Sequence, residues 1–220
     1  MFGLITEAAK GLDISHFKFH KISASELPTD NAVGDMEEII GALKYQITNC
    51  NETKGEFQTV TIANHQFKRQ EWCLDTSQKM LTLAMAAHGD FKKFLLSIKT
   101  EFDWYKSEGW PEKHGAFKKG DVKFTAYYTA KGGSKTPYGS ENNPLTPHAS
   151  CATDHKVIPI GMIFIYTSKK LTSWCIAQDS GSAVLGAHVD LYKGKGNQAG
   201  SEVKNLYYAG SLFVALPKSK

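Results

Sequence analysis

The chain has 220 residues, of which 41% are hydrophobic and 22% charged, the balance of an ordinary globular protein. With 12 Phe, 9 Tyr and 4 Trp available for a core, disorder is excluded. No apolar run approaches the roughly 18 residues that span a bilayer, so no membrane span is expected; the longest candidate, residues 157–166, is interrupted by Pro159 and Gly161 and reads as a buried strand.

The net charge of +4 is unevenly distributed. Residues 1–110 carry 12 basic and 15 acidic side chains, whereas residues 111–220 carry 14 basic and 7 acidic. The second half would attract a polyanion. Arg69 is the only arginine, which argues against nucleic acid as a partner, because Arg supplies the commonest bidentate contact to a base edge. The N-terminal residues lack both a basic start and a sustained apolar stretch, so no signal peptide is visible.

In chain order, the first half reads as helical. Asp35 and Glu38 have capping-box spacing before a stripe of Ile39, Ile40, Leu43 and Ile47. The run FQTVTI at 57–62 alternates as a short strand would. Asp75 with Gln78 repeats the capping device before Met80, Leu81, Ala84 and Met85. A third helix is expected from Asp90, with Phe91, Phe94, Leu95, Ile98, Phe102 and Tyr105 on one face, and Gly109 and Pro111 ending it.

In the second half the period changes. VKFTAYYT at 122–129 suits a strand, and 131–147, loaded with Gly, Ser, Asn and Pro, reads as a long surface loop. Strand-like runs follow at 157–167, 171–178, 183–191 and 206–216. The fold class expected is α+β, a helical N-terminal region (1–110) packed on a C-terminal β-barrel or sandwich (111–220).

Three of the seven acids in the second half share a distinctive setting: Asp154 in ATDHKVIPIG, Asp179 in IAQDSGSAVLG and Asp190 in GAHVDLYKG. An acid embedded at an apolar strand end has its ionised form disfavoured and can act as a general acid; the same residues also suit turn caps. The types in His148-x-x-Cys151-x-x-x-His155 could ligate a metal, but no second pair or HExxH-like signature accompanies them, and neither metal nor cofactor is expected. Cys151 near His148 could also be a thiol nucleophile or a disulfide partner. Gly194-x-Gly196 lacks the strand-to-helix context of a phosphate loop and reads as a loop that lets backbone approach a ligand. Trp72 and Trp104 lie in apolar helical patterns and read as core. The four cysteines have no CxxC pair, and three complete pairings are open.

The ordered motifs FTAYYT, PLTPHASCATDHKVIPIG, IAQDSGSAVLGAHVDLYKGKGNQAG and a terminal LFVALPK resemble the MltA-type lytic transglycosylases, and the stretch after Pro144 resembles their 3D domain, named for three aspartates. The resemblance covers roughly residues 122–218. It implies a six-stranded double-psi β-barrel whose groove holds peptidoglycan glycan strands. The implied reaction cleaves the β-1,4 bond between N-acetylmuramic acid and N-acetylglucosamine without water, closing a 1,6-anhydro ring. Asp190 matches the family's catalytic aspartate and Asp179 its neighbour in the groove. Thr125, Tyr127 and Tyr128 match the groove-lining strand; Asp154 and His188 join the substrate-binding set, Asp154 by holding the loop before a strand and His188 beside Asp190.

The chain also departs from the family's pattern. Only a short loop joins FTAYYT to PLTPH, leaving no room for the inserted second β domain, so the helical half is expected as the other wall of the groove. Thr129-Ala130 stands where the family has Glu-Pro, Asp179-Ser180-Gly181-Ser182 where it has DxGG, and Leu185 where it often has Lys. The resemblance implies an exported, monomeric protein of the periplasm or cell envelope, with Cys151–Cys175 and Cys50–Cys73 as the simplest disulfides. Two other functions stand beside the transglycosylase: a two-carboxylate glycoside hydrolase on the same barrel, and a non-catalytic wall-binding module.

Overall fold

The computed structural model describes residues 17–52, 59–62, 65–129, 137–204 and 206–218. Among them lie ten strands and four α-helices: β1 (Phe19–Ile22), α1 (Met36–Glu52), β2 (Thr59–Ile62), β3 (His65–Lys68), α2 (Arg69–Ala86), α3 (Phe91–Glu101), β4 (Phe102–Ser107), β5 (Val122–Thr129), β6 (Ser150–Thr153), β7 (Ile163–Ser168), β8 (Thr172–Asp179), β9 (His188–Lys195), α4 (Gly196–Val203) and β10 (Tyr208–Pro217). The fold class is α+β, a helical region packed on a double-psi β-barrel.

Six strands close the barrel in the order β5-β9-β6-β8-β7-β10, with β10 returning to pair with β5. The pairs β5–β9 and β6–β8 are parallel and the others antiparallel. Gly210 is the corner at which β10 touches both Val122 of β5 and Ser168 of β7; a side chain there would collide with the Thr167 carbonyl. Beyond that corner β10 pairs with β4, and β4 with β1, so two strands from the first 110 residues extend the barrel sheet.

Alternation along β7, β8 and β10 builds two cores. Phe164, Cys175 and Val214 point into the barrel with Phe124, Val189 and Leu191. Ile163, Ile165, Trp174, Ile176 and Ala215 point outward into a second core with Ile39, Leu43, Met80, Phe94 and Ile98 from α1, α2 and α3. The layer of α1, α2 and α3 thus covers the β7, β8 and β10 side of the barrel, and α4 packs on β5 and β9.

Several elements differ from the sequence expectations. Helix α2 begins at Arg69, not after Asp75, because the buried stripe of Trp72, Cys73, Thr76 and Met80 carries the helix upstream through the supposed cap. Helix α3 is capped by Asp90, which accepts a bond from the Lys93 amide, but it stops at Glu101. Residues 102–107 turn extended to pair with β10, so Phe102 and Tyr105 are strand residues. Of the run 157–167 only the part from Ile163 is strand, β9 starts at His188 rather than Ala183, and β6 is a strand that the composition of SCAT conceals. The Gly194-x-Gly196 segment leads directly into helix α4, which packs Gly200 against the Tyr128 ring. Residues 57 and 58 of the expected strand and 131–136 of the expected loop lie outside the described residues.

Both disulfides of the simplest pairing are present: Cys151–Cys175 bridges β6 and β8, and Cys50–Cys73 ties α1 to α2. No helix among the described residues is long and apolar enough to cross a membrane.

Candidate active site

The three aspartates of the second half occupy distinct places. Asp190 lies on β9 in parallel register with Thr125 of β5 and in antiparallel register with Ala152 of β6. Its neighbours Val189 and Leu191 fill the barrel, so pleating turns Asp190 outward, away from the barrel interior. Asp179, at the end of β8, is paired with the same Ala152 from the other side.

A β-bulge makes that arrangement possible. Cys151 pairs with Ala177, and the next residue, Ala152, with Asp179, so Gln178 is an extra residue in β8. Cys175 and Ala177 line the barrel interior, and an unbroken strand would send Asp179 inward with them; the bulge reverses its face. Thr125, Asp190, Ala152 and Asp179 then form one row across four strands. The two aspartate backbones stand two strand spacings apart, about 10 Å, with a small side chain between them.

The bulge is held from behind. The Gln178 side chain is fully buried, donates to Gln46 Oε1 of α1 at 3.0 Å and accepts from Ser150 Oγ at 2.6 Å. Gln46 in turn donates toward Cys73 Sγ at 3.2 Å. The loop before β6 closes over the same place: Ser140 and Ser180 hydroxyls lie 2.7 Å apart, and a side chain at Gly139 would collide with the Gln178 carbonyl. Arg69 of α2 pairs with Glu141, whose carbonyl accepts from Asn49 of α1 at 2.7 Å, so both helices grip this loop.

Asp190 is half-buried and accepts from the Thr125 hydroxyl at 2.7 Å. Burial pushes its carboxyl above the ordinary range, and the nearby Asp179 adds to this; Thr125 and Lys123 oppose it. Asp179 accepts from the Tyr127 hydroxyl at 2.7 Å and from the Ser180 amide at 2.8 Å, which engages both oxygens. Burial, and next the charge of Asp179, raise the Tyr127 phenol far above its usual value and keep it a donor. His188 is 5% exposed, its Nε2 2.8 Å from Thr125 Oγ1, and burial pushes it down to about 4, so the ring is neutral near pH 7.

Asp154 is only 6% exposed and sits apart from this row. Its carboxylate accepts from the Gly186 amide at 2.8 Å and the Lys156 amide at 3.1 Å, joining the turn before β7 to the turn before β9. Tyr128 is exposed and rests on α4. The structure therefore gathers Thr125, Tyr127, Asp179, His188 and Asp190, with Tyr128 at the margin and Asp154 beneath. Ala152, Gln178 and Lys123 belong to the same site and were missed; Ala152 carried a faint signal, a small residue two before Asp154.

Cys151 is bonded to Cys175, which removes it as a free thiol or metal ligand, and His148 points to Glu38 at 2.9 Å and Glu202 at 3.6 Å. No cluster of three or more His, Cys, Asp or Glu among the described residues is arranged to hold a metal.

A family model described as the 3D domain matches residues 149–210, from β6 into β10. A membrane-bound lytic murein transglycosylase A homolog from Buchnera aphidicola subsp. Schizaphis graminum is 30% identical over 124 residues, 51% of this chain and 33% of that protein. The chain thus spans about a third of that relative's length. Among solved structures, E. coli MltA with bound chitohexaose aligns over 92% of this chain and 95% of its own at 12% identity and a TM-score of 0.59. LtgG, a lytic transglycosylase of Burkholderia pseudomallei, aligns over 92% and 96% at 13% identity and a TM-score of 0.58. Residues 149–210 thus match the 3D domain, and the chain shares its fold with the MltA-type lytic transglycosylases.

Proposed function

We propose that the protein is a lytic transglycosylase that cleaves the β-1,4 bond between N-acetylmuramic acid and N-acetylglucosamine in peptidoglycan and leaves 1,6-anhydromuramic ends. The observation that carries this reading is one outward, half-buried carboxyl, Asp190, held above the ordinary carboxylate range beside a second carboxylate whose oxygens are already engaged. The names of the similar proteins, and the chitohexaose held by one of them, support a glycan substrate.

In this mechanism Asp190 donates its proton to the glycosidic oxygen as the bond from C1 of muramic acid to that oxygen breaks. The C6 hydroxyl of the same sugar then attacks C1, and its proton passes to the Asp190 carboxylate, restoring the acid. One bond breaks, one forms and no water is consumed, so no second carboxylate has to activate water. Asp179 fixes Tyr127 and, by its charge, favours the protonated form of Asp190. Thr125, Tyr127 and Tyr128 line the groove, where tyrosine offers both an apolar platform and a polar tip, and His188 lies buried behind Thr125. Asp154 acts through the turn that launches β9.

Two disulfides and the Lys-rich second half suit work on an anionic polymer in the cell envelope, outside the cytoplasmic membrane. The test is mass spectrometry of purified peptidoglycan after incubation with the protein or with Asp190→Asn. Muropeptides lighter by one water than reducing-end products, made only by the wild type, are expected. Reducing-end products would replace this reading with a two-carboxylate hydrolase. Binding to walls without any release would leave a wall-binding module.

A further inference from the structure

Three groups stand in a line behind the acid. Asp190 Oδ1 is 2.7 Å from Thr125 Oγ1, which is 2.8 Å from His188 Nε2. The ring also bonds to the Ala183 backbone, in a contact that favours a protonated nitrogen and is therefore made to the carbonyl. With Asp190 ionised, two protons, one on the neutral ring and one on the hydroxyl, must serve three contacts, and their placement decides which state of Asp190 fits.

With Asp190 ionised, Thr125 gives its single proton to the carboxylate. Nε2 must then donate to Thr125, which leaves a bare Nδ1 facing the Ala183 carbonyl. A doubly protonated ring would remove the conflict, but burial and the nearby Lys123 oppose that charge. With Asp190 protonated, every contact has one proton. Asp190 donates to Thr125, Thr125 donates to Nε2, and Nδ1 donates to the Ala183 carbonyl.

We propose that His188 is a positioning residue for Asp190, which through the Thr125 hydroxyl favours and orients the proton-bearing carboxyl. This rests on the reading of Asp190 as the acid of the transglycosylase. Once the proton has gone to the leaving oxygen, the Thr125 hydroxyl turns to donate to the carboxylate, and it turns back when the C6 hydroxyl returns a proton. The other groups facing Asp190 are Lys123 of β5, which favours the anion, and Asp179 of β8, which favours the acid. Tyr127 is a neutral phenol bound to Asp179, β6 presents the uncharged Ala152, and Glu202 of α4 is tied to Lys193.

The experiment is an NMR titration of the Asp190 side-chain carboxyl, assigned by comparison with Asp190→Asn, in the wild type, His188→Phe, Thr125→Val and the double variant. In His188→Phe the Thr125 proton is free to serve the carboxylate, and the midpoint is expected to fall by about one pH unit. In the Thr125→Val background the His188 substitution is expected to move nothing. A midpoint that stays or rises in His188→Phe, or a shift that persists without Thr125, overturns the proposal. If His188→Phe does not fold, the wild-type His188 15N shifts decide: Nδ1 protonated and Nε2 bare below the Asp190 midpoint is expected, and the opposite tautomer overturns it. Neither measurement uses glycan, so a chain with the shift but without anhydro products keeps this inference and loses the functional one.

Discussion

The bulge at Gln178 offers the most exacting test of how the site is built. Gln178→Leu keeps the shape of the side chain and removes its polar end. Two neutral hydrogen bonds are lost, from Ser150 and to Gln46, and the Gln46 carbonyl is left buried without its donor. At about 1 kcal/mol for each bond and about 1 more for the stranded carbonyl, the cost is about 3 kcal/mol. For a chain of this size that corresponds to a melting temperature lowered by about 6–12 °C. The assay is thermal and urea unfolding of Gln178→Leu, Gln46→Leu and the double variant. The two substitutions strand each other's partner, so the cycle is expected to show coupling of about 1 kcal/mol. Deleting Gln178 outright removes the extra residue, so Asp179 follows the inward Ala177 directly and is expected to keep its outward face and its pairing with Ala152, while the bonds to Ser150 and Gln46 are lost. A cost below about 1 kcal/mol with strict additivity would refute the claim that this network holds the bulge.

Asp190→Asn is expected to lower glycan cleavage about 10²–10⁴-fold, read by product analysis, while wall binding persists. Because the folded-state carboxyl of Asp190 is raised, its contribution to stability is full below the unfolded carboxyl range and is lost as pH rises through the raised value. The melting temperature of Asp190→Asn should therefore match or exceed the wild type at pH 8 and lose that advantage toward pH 3. For the same reason wild-type cleavage should decline as pH rises through the Asp190 range. Asp154→Ala strands the Gly186 amide and should cost about 2–3 kcal/mol in urea unfolding with a parallel loss of cleavage, because Gly186 leads into β9. Cys151→Ser with Cys175→Ser opens a 24-residue link and should cost about 3 kcal/mol in the same assay.

The residues of the candidate site were more legible than the way they are brought together. Aspartates at the ends of apolar runs marked Asp179 and Asp190, and the β-branched and aromatic FTAYYT marked β5. The bond between Thr125 and Asp190 was beyond any local pattern, since the residues are 65 positions apart and meet through a parallel register. The bulge was equally hidden, because Gln178 differs from a regular strand residue only in what opposes it. Helix α3 illustrates the general cause. Phe91, Phe94, Leu95, Ile98, Phe102 and Tyr105 fit one helical face, yet Phe102 onward meets the free side of β10, and pairing with that distant strand wins over local spacing. Strand β6 escaped because four small, mixed residues offer no period to read; it becomes a strand only between β8 and β9.

Strand β10 pairs with β4, β5 and β7, and every other strand of the sheet precedes it in chain order. During synthesis, therefore, the earlier segments wait. A nascent chain halted before Tyr208 has β5 and β7 with open edges and β4 without its main partner, so neither the barrel nor its junction with the helices can be completed. Such late, long-range closure slows folding and lengthens the time that apolar strands stand exposed. The chain should accordingly depend on chaperones until its final strand has been made, and ribosome-bound truncations ending before Tyr208 should be cleaved by protease where the finished protein resists.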